Sequence, residues 1–461
     1  MTNKNDTQKR VFLATFGCQM NEYDSEIVIS ILKNAGYEIT PEEQKADIIL
    51  LNTCSVRENA HRKVYGQLDI LREEFGKEKV IGILGCMATA LKEELLENKN
   101  IDFIAGPDSY KKLPEIIAKA SKHKEKPFDT DLSALETYGD IHPSKTNSCS
   151  AYIAIMRGCD NFCSFCIVPY ARGRERSRST ENILTEAEGL ASKGVKQITL
   201  LGQNVNSYHY DIKSNFISSD RKANGATHRI DEKAFNFTRL IEEISKIEQI
   251  KRIRFMSPHP KDFPEELIEL LKENPKLCKH VHLPLQAGNN RILKLMNRKY
   301  TSKDFLKLVD KLRKASPEIT LTTDVIIGFP SETKPEFNDT FKLMKAVEFD
   351  SAFIFKYSPR KGTLAEQKYE DDITPDEKTE RIVKLNELQK RISLKKNQAL
   401  IGRTFEIMIE AEGTAKSDKD IQGRTDGNKL VIIPKSNQKI GDFLKVEITD
   451  ATANVLKGRP Y

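Results

Sequence analysis

The sequence predicts a multidomain α/β protein with an N-terminal open parallel α/β domain, a central partial barrel of six β/α units and a small all-β barrel at the C-terminus. Near-continuous apolar strands alternate with helical segments over residues 10–120 and again over residues 150–360. This alternation is typical of parallel sheets that helices cover. Residues 402–461 hold strand-like segments and none that fits a helix, which favours a small closed barrel.

The N-terminal domain is predicted from four apolar strands with helical segments between them. The strands are RVFLATFG, ADIILLN, KVIGILG and DFIAG, and a long polar helix over about residues 57–75 follows the second strand. Strands that are apolar throughout are typical of a sheet buried on both faces. We place this domain at residues 9–122. Residues 123–148 are polar and without lasting periodicity, and we interpret them as a linker with one short extended piece.

The central domain, placed at residues 149–396, is predicted from six strands separated by helices. The strands are AYIAIMR, QITLLGQ, RIRFMS, HVHLPLQ, ITLTTDVIIGF and SAFIFKYS. Six units instead of eight indicate an incomplete barrel that is open on one side. The polar stretch Tyr208–Asn236 interrupts the pattern, and we interpret it as a disordered insertion. In the last domain, residues 397–461, an Asp426–Gly427 pair before a strand indicates a hairpin.

Composition and charge exclude several classes of protein. No run approaches the roughly 18 apolar residues of a membrane-spanning helix. The first ten residues, MTNKNDTQKR, contain no apolar segment of a signal peptide. We therefore expect a cytoplasmic protein with no membrane partner. The net charge of +7 permits a nucleic-acid partner without requiring one. In such a chain the eight cysteines indicate metal binding or catalysis better than disulfides.

Three cysteines form a compact motif directly after the first barrel strand. In RGCDNFCSFC, Cys159, Cys163 and Cys166 have the spacing CxxxCxxC. Three thiolates on one short loop can each bind one iron of a cubane cluster, and the fourth iron then keeps an open position for a substrate. The alternatives are a zinc knuckle or three unrelated core cysteines.

Three further cysteines are distant in sequence but occupy equivalent places. Cys18, Cys54 and Cys86 each end an apolar strand of the N-terminal domain. Parallel strands place their carboxyl ends along one edge of the sheet, where open α/β sheets bind ligands. The three thiols are therefore expected to converge and to suit a second cluster with one free iron. The alternative is that cysteine is a common buried residue in strands.

These motifs resemble known families. A CxxxCxxC loop that opens a six-unit β/α barrel resembles the radical S-adenosylmethionine (SAM) superfamily. The segments FGCQMNEYDSE, LNTCSVRE, LGCMA, CSFCIVPYARGRERSR, LLGQNVNSY, HLPLQAGNNRILKLMNRKY and DVIIGFPSET are similar to the methylthiotransferase family. The domain order of that family also matches: a cluster-binding α/β domain, a radical SAM barrel and a TRAM barrel that binds RNA.

The resemblance implies two [4Fe-4S] clusters and SAM as cofactors. The cluster on Cys159, Cys163 and Cys166 would bind SAM and cleave it to a 5′-deoxyadenosyl radical, with Phe165 near the adenine. The cluster on Cys18, Cys54 and Cys86 would carry or supply sulfur. Polar residues at the carboxyl ends of barrel strands tend to line the active face. We therefore predict that the cofactor also contacts four residues at such ends, the alternative being plain turns: Gly202, Gln203, Asn204 and Gln286.

The segments GCQMNEYDS and YARGRERSR are similar to those of tRNA-modifying members of the family. The resemblance implies methylthiolation of N6-isopentenyladenosine next to the anticodon, with the tRNA anticodon stem-loop and a small-protein electron donor as partners and a monomeric enzyme. Rival substrates are threonylcarbamoyladenosine in tRNA and an aspartate of a ribosomal protein. Rivals of another class are a non-catalytic iron–sulfur electron carrier and an RNA-binding protein with structural zinc.

Four arginines follow the cysteine loop at every second position: Arg172, Arg174, Arg176 and Arg178. In an extended segment all four would lie on one side, where they could bind phosphate or the cofactor carboxylate. The alternative is a solvated loop, or ion pairs with Glu175 and its neighbours.

Overall fold

A computed structural model of the chain describes residues 8–55, 58–122, 126–143, 148–211, 235–414 and 417–461. The chain divides into two compact units. The first unit comprises Met1–Thr146, Met156–Arg178 and Arg360–Gln367, and the second comprises Asn147–Ile155, Ser179–Pro359 and Lys368–Tyr461. The segment that carries the CxxxCxxC motif therefore belongs to the same compact unit as the N-terminal sheet.

The N-terminal sheet has six parallel strands in the order β2-β1-β3-β4-β5-β6. They are β1 (Arg10–Phe16), β2 (Glu38–Ile39), β3 (Ile48–Thr53), β4 (Val80–Gly85), β5 (Phe103–Ala105) and β6 (Phe128–Asp129). The four predicted strands are present, and β3 and β4 are buried along their whole length. The extended piece expected in the linker is β6, which pairs with β5 and completes the sheet.

Helices connect the strands of the N-terminal sheet and cover it. They are α1 (Gln19–Asn34), α2 (Glu58–Phe75), α3 (Cys86–Ala90), α4 (Lys92–Glu97) and α5 (Leu113–Ala120). Helix α2 packs Val64, Leu68 and Leu71 into a buried cluster with β3 and β4. The predicted open parallel α/β fold is thereby confirmed.

The central strands form an open arc in chain order. They are β7 (Ser150–Ala154), β10 (Gln197–Leu201), β13 (Arg252–Phe255), β14 (His280–His282), β15 (Thr320–Ile327) and β16 (Ser351–Lys356). All paired neighbours are parallel, and a parallel bridge between Ile253 and Leu277 links β13 to the segment before β14. The prediction of six strands in an incomplete barrel is confirmed.

The helices of the second unit alternate with these strands. They are α7 (Thr180–Ser192), α8 (Phe237–Ser245), α9 (Glu265–Glu273), α10 (Asn290–Leu295), α11 (Ser302–Ala315), α12 (Lys334–Val347) and α14 (Pro375–Gln398). The short helices α6 (Val168–Arg172) and α13 (Leu364–Lys368) complete the set of α-helices that the structure describes. Helix α11 buries one apolar face, which consists of Phe305, Leu308, Val309 and Leu312.

The expected disordered insertion Tyr208–Asn236 falls largely outside the described residues, because positions 212–234 are not among them. Its two described ends pair with each other as short antiparallel strands, β11 (His209–Tyr210) and β12 (Phe235–Asn236). The polar stretch therefore leaves and re-enters the domain at one place.

The C-terminal residues form the closed barrel that the sequence predicts, with strand order β17-β18-β19-β21-β20. The strands are β17 (Thr404–Thr414), β18 (Ser417–Thr425), β19 (Leu430–Pro434), β20 (Phe443–Ala451) and β21 (Leu456–Pro460). The Asp426–Gly427 pair lies between the antiparallel strands β18 and β19, as the hairpin prediction requires. None of the described helices has both the length and the apolar character of a membrane-spanning segment.

Gly82 in β4 provides a test of the packing of the N-terminal sheet. A Cβ atom at this position would lie 2.2 Å from the buried ring of Phe103. We expect Gly82→Ala to lower the free energy of unfolding by about 1–3 kcal/mol, because an overpacked core forces its neighbours to shift. Urea unfolding followed by circular dichroism measures the change.

Gly66 supplies the matched control, since it lies exposed in α2 with open space around its Cα. Gly66→Ala should raise the free energy of unfolding by about 1 kcal/mol, because alanine favours the helix. Equal stability of the two variants would contradict the packing described for β4.

Candidate functional site

Strand register brings the three dispersed cysteines to one edge of the N-terminal sheet. Phe16 of β1 pairs with Thr53 of β3, and Thr53 pairs with Gly85 of β4. Cys54 and Cys86 directly follow their paired residues, and Cys18 follows Phe16 by two positions. The predicted convergence of the three thiols is therefore a consequence of register. Their role as cluster ligands stays a prediction.

The backbone at this edge leaves little room for other side chains. Gly85 has a φ of +87°, and a Cβ atom there would lie 2.5 Å from Asn52 Oδ1 and 2.6 Å from the Thr53 carbonyl oxygen. Asn21 fills the adjacent space and accepts a hydrogen bond from Cys18 Sγ at 3.2 Å. Glycine is thus required immediately before Cys86 so that the chain can turn from β4 into α3.

The thiols of this group have unequal electrostatic surroundings. A side-chain hydrogen bond with Cys54, assisted by the charge of Arg172, lowers the pKa of Cys18 to about 6. Burial raises the pKa of Cys86, against the lowering effect of Arg172. Because thiolates are the form that binds metals, a cationic neighbour favours ligation at this edge.

The CxxxCxxC cysteines lie on a loop closed by a small hairpin. The hairpin strands are β8 (Met156–Arg157) and β9 (Arg176–Ser177), which pair antiparallel. Gly158 has a φ of +75°, and a Cβ atom there would lie 2.0 Å from the Arg174 carbonyl oxygen, so only glycine fits. Of the three cysteines, Cys159 and Cys163 are buried and Cys166 is half-buried. Burial raises the pKa of Cys159 to about 11.

The two cysteine groups are neighbours in the first unit. Ile167, which directly follows Cys166, packs with Ala171 against Cys86 in a buried cluster. At the end of the same short helix α6, Arg172 Nε donates a hydrogen bond to Cys86 Sγ at 3.0 Å. One segment therefore carries a cysteine of the loop and also contacts a cysteine of the sheet edge.

The four alternating arginines do not present one common face. Arg172 ends α6 and pairs with Asp24 at 2.7 Å, while Arg176 pairs with Asp108 at 2.9 Å. Arg174 pairs with Asp160, and Arg178 donates to the hydroxyl of Tyr23. The interpretation as an extended phosphate-binding strip is wrong, because a helix and separate partners point the side chains in different directions. The ion-pair alternative holds for Arg172, Arg174 and Arg176, whose partners are Asp24, Asp160 and Asp108 instead of Glu175 and its neighbours.

The other predicted cofactor residues lie at carboxyl ends of barrel strands in the second unit. Gly202, Gln203 and Asn204 follow β10, and Gln286 follows β14 with a φ of +65°. Asn204 Nδ2 donates to Asp262 Oδ2 at 2.9 Å. Phe165, predicted near the adenine, is half-buried on the cysteine loop of the first unit.

Three of these side chains retain buried acceptors that have no partner in the described part of the chain. They are Gln203 Oε1, Asn204 Oδ1 and Gln286 Oε1. A buried acceptor without a donor costs about 1–3 kcal/mol. The amino group, the ribose hydroxyls and the adenine amine of SAM are donors that would satisfy such oxygens. The residues at the strand ends therefore fit this cofactor.

The charged groups that surround the cysteines left no signal in the sequence. The side chains of Asp24, Arg157 and Asp108 are at most 1% exposed, and each pairs with a residue more than 60 positions away. Asp24 lies within the segment GCQMNEYDS, which carried the resemblance, but no local pattern indicated its partners. Asp262, the partner of Asn204, also gave no signal.

Across the described residues, no three His, Cys, Asp or Glu side chains lie close enough to share a single metal ion. In a cubane each thiolate binds a different iron, so the ligands of a cluster need not meet at one ion. The donor set at both places consists of thiols, which suits iron–sulfur clusters.

Comparison with known proteins decides the family. Residues 153–344 match the radical SAM superfamily, residues 10–106 match the uncharacterized protein family UPF0004, and residues 398–460 match the TRAM domain. A tRNA-2-methylthio-N(6)-dimethylallyladenosine synthase of Bacteroides thetaiotaomicron is 42% identical over 98% of this chain and 96% of its own. The corresponding synthase of Chloroherpeton thalassium is 44% identical over 97% of this chain and 95% of its own.

The chain belongs to the tRNA-2-methylthio-N(6)-dimethylallyladenosine synthase family.

A solved structure shows the shared fold. The radical SAM methyltransferase TsrM of Kitasatospora setae, with cobalamin and a [4Fe-4S] cluster bound, aligns with a TM-score of 0.56 at 14% identity. The alignment covers 78% of this chain and 77% of TsrM. Membership of the radical SAM superfamily implies SAM and one [4Fe-4S] cluster as cofactors of the synthase family.

The free acceptor on Gln203 generates a prediction about cofactor binding. Loss of one hydrogen-bond partner of a buried polar group costs about 1–3 kcal/mol, so Gln203→Ala should weaken SAM binding roughly 5- to 150-fold. Equilibrium dialysis of anaerobically reconstituted protein with labelled SAM measures the affinity. Gln249→Ala, which changes an exposed glutamine away from the strand ends, is the control and should bind as the parent does. Equal affinity of both variants would remove Gln203 from the cofactor site.

Proposed function

We propose that this protein methylthiolates N6-dimethylallyladenosine next to the anticodon of tRNA and gives the 2-methylthio derivative. The support comes from full-length relatives whose name states that product, together with a radical SAM domain and a TRAM domain in one chain. The reaction exchanges a hydrogen on an aromatic carbon for a methylthio group. A general base in the ordinary pKa range cannot remove that hydrogen, so radical chemistry suits the substrate.

The observation that carries the proposal is the proximity of two cysteine groups in one compact unit. Packing of Ile167 and Ala171 against Cys86 puts the end of the cysteine loop beside the sheet edge. Sulfur insertion needs a radical source and a sulfur source at the same substrate carbon. An enzyme with one cluster, or an electron carrier without an open iron, would not need two neighbouring groups of three cysteines each.

Each group of residues has a distinct role in this proposal. Cys159, Cys163 and Cys166 hold one [4Fe-4S] cluster, and Cys18, Cys54 and Cys86 hold a second one. Bound there, the clusters and SAM would supply the radical, the sulfur and the methyl group, as in the family that the sequence resembles. Gln203, Asn204 and Gln286 would accept hydrogen bonds from SAM and orient it. Phe165 is assigned to the adenine, and Gly202 would let the cofactor approach the backbone closely.

The remaining expectations about partners and location complete the proposal. The substrate is the anticodon stem-loop that carries dimethylallyladenosine, and the TRAM barrel binds RNA. A small protein donates electrons, and the enzyme works as a cytoplasmic monomer. The domain limits 9–122, 149–396 and 397–461, with a linker at 123–148, belong to the same proposal.

A direct assay tests reaction and substrate together. Anaerobically reconstituted protein is incubated with reductant, SAM and an anticodon stem-loop that carries the dimethylallyl group, and the digested nucleosides are analysed by mass spectrometry. We expect a methylthio mass gain on the modified adenosine and none on a matched stem-loop with plain adenosine.

Two other outcomes would contradict the proposal in different ways. Brisk release of 5′-deoxyadenosine without a mass gain would retain the radical chemistry and reject the substrate. The threonylcarbamoyl nucleoside and the ribosomal protein would then be tested next. Zinc in place of iron in the anaerobic protein would reject the whole reaction in favour of an RNA-binding protein with structural metal.

Cysteine variants separate the two clusters. Cys159→Ala should abolish formation of 5′-deoxyadenosine, because the loop then lacks a ligand of the cluster that binds SAM. Cys54→Ala should allow 5′-deoxyadenosine formation and stop sulfur insertion. Liquid chromatography of both products measures the two steps.

Cys278→Ala is the control, since Cys278 is a buried thiol outside both groups, and it should retain both products. Full methylthiolation by Cys54→Ala would contradict the model with two clusters.

A further inference from the structure

A buried carboxylate in α1 holds two buried guanidinium groups. Asp24 Oδ1 accepts a hydrogen bond from Arg157 at 2.6 Å, and Asp24 Oδ2 accepts one from Arg172 at 2.7 Å. Asp24 is fully buried, and the two arginine side chains are at most 3% exposed. The group therefore contains one negative and two positive charges away from water. Buried charge of this kind is costly unless an additional anion balances it.

Arg172, one of the two positively charged members of this group, contacts the sheet-edge cysteines. Arg172 Nε donates to Cys86 Sγ at 3.0 Å. The Nη1 atom of Arg172 is buried and has no hydrogen-bond partner among the residues that the structure describes. Cys86 and Cys18 are among the groups that interact electrostatically with the Arg172 side chain. A buried cation with a free donor next to thiols fits an anionic thiolate cluster.

The position of Arg172 in the chain is as informative as its contacts. It ends the short helix α6, six residues after Cys166 of the loop. Asp24 lies on α1, six residues after Cys18, at the sheet edge. The Asp24–Arg172 pair thus fixes the guanidinium in one orientation, with one nitrogen on the carboxylate and another on the sulfur of Cys86. Such an orientation suits a side chain with a planar, rigid set of donors.

We propose that Arg172, oriented by Asp24, is a positioning residue that donates to the Cys86 sulfur and raises the reduction potential of the cluster on Cys18, Cys54 and Cys86. This inference rests on the second cluster of the proposed function. A hydrogen bond to a ligating sulfur and a nearby positive charge both stabilise the reduced, more negative cluster. If Arg172 served the fold alone, its replacement would leave the potential unchanged in protein that still binds the cluster.

The test measures the potential of this cluster by itself. The parent is the full chain with Cys159, Cys163 and Cys166 all replaced by alanine, so that reconstituted iron can bind only at the sheet edge. A redox titration followed by absorbance and electron paramagnetic resonance gives the midpoint potential. In this parent we compare Arg172→Gln and Arg172→Lys with Arg174→Gln. Arg174 is the matched control, because it lies on the same segment, is 70% exposed and pairs with Asp160.

We expect Arg172→Gln to lower the ratio of reduced to oxidised cluster at a fixed applied potential roughly tenfold, or about 59 mV for a one-electron couple. Arg172→Lys should shift the ratio in the same direction by less, because it keeps the charge and loses the pair of directed donors. Arg174→Gln should match the parent. If Arg172→Gln does not fold or bind iron, Arg172→Lys decides the comparison.

The outcomes that overturn the inference differ from those that overturn the proposed function. A parent that folds and binds no iron contradicts the second cluster, and this inference with it. A parent that binds iron, with the same potential in the Arg172 and Arg174 variants, contradicts the role of Arg172 and leaves the proposed function intact.

Discussion

The buried Asp24 carboxylate is the interaction on which the arrangement of both cysteine groups depends. Arg157 precedes the cysteine loop and Arg172 follows it, so one carboxylate holds both ends of the loop. Because Asp24 belongs to α1, the helix that begins after Cys18, the same contact ties the loop to the sheet edge. Loss of one partner of a buried ion pair typically costs 3–5 kcal/mol, since the other charge remains uncompensated.

The two cysteine groups reach their geometry by different physical means. In the loop, the three thiols are close together in sequence. Gly158 lets the chain pass so near the Arg174 carbonyl that a Cβ atom would lie 2.0 Å from its oxygen. At the sheet edge, parallel register supplies them, since Phe16, Thr53 and Gly85 are aligned across three strands. At the sheet edge, Cys18, Cys54 and Cys86 come together only after the long-range pairing of the strands has formed. The edge therefore depends on the sheet core, whereas the loop depends on a hairpin.

Much of this architecture could be predicted because its signals are local or periodic. Buried strands such as β3 and β4 are apolar along their length, and equivalent places after such strands indicated the convergence of Cys18, Cys54 and Cys86. The short edge strands β2 and β6 and the polar strand β18 gave no apolar run, because each buries little or alternates with polar residues. The partners of Arg172 and Arg176 could not be predicted from the sequence, because an ion pair between residues more than 60 positions apart produces no periodic pattern.

Hydrogen bonds join the C-terminal barrel to the amino ends of the central strands β10 and β13. This placement determines how long a ligand must be to contact both the barrel and the predicted cofactor residues. Arg252 and Arg254 at the start of β13 donate to carbonyl oxygens of Arg424, Thr425 and Asp426. Lys196, just before β10, donates to the Gly441 carbonyl. Three of the predicted cofactor residues, Gly202, Gln203 and Asn204, follow the carboxyl end of β10, and a five-residue strand spans about 17 Å. A ligand that contacts both the barrel and the strand ends must therefore reach past the full length of the sheet. A folded stem-loop is long enough to do so and a single nucleoside is not, which suits the stem-loop substrate of the proposed function.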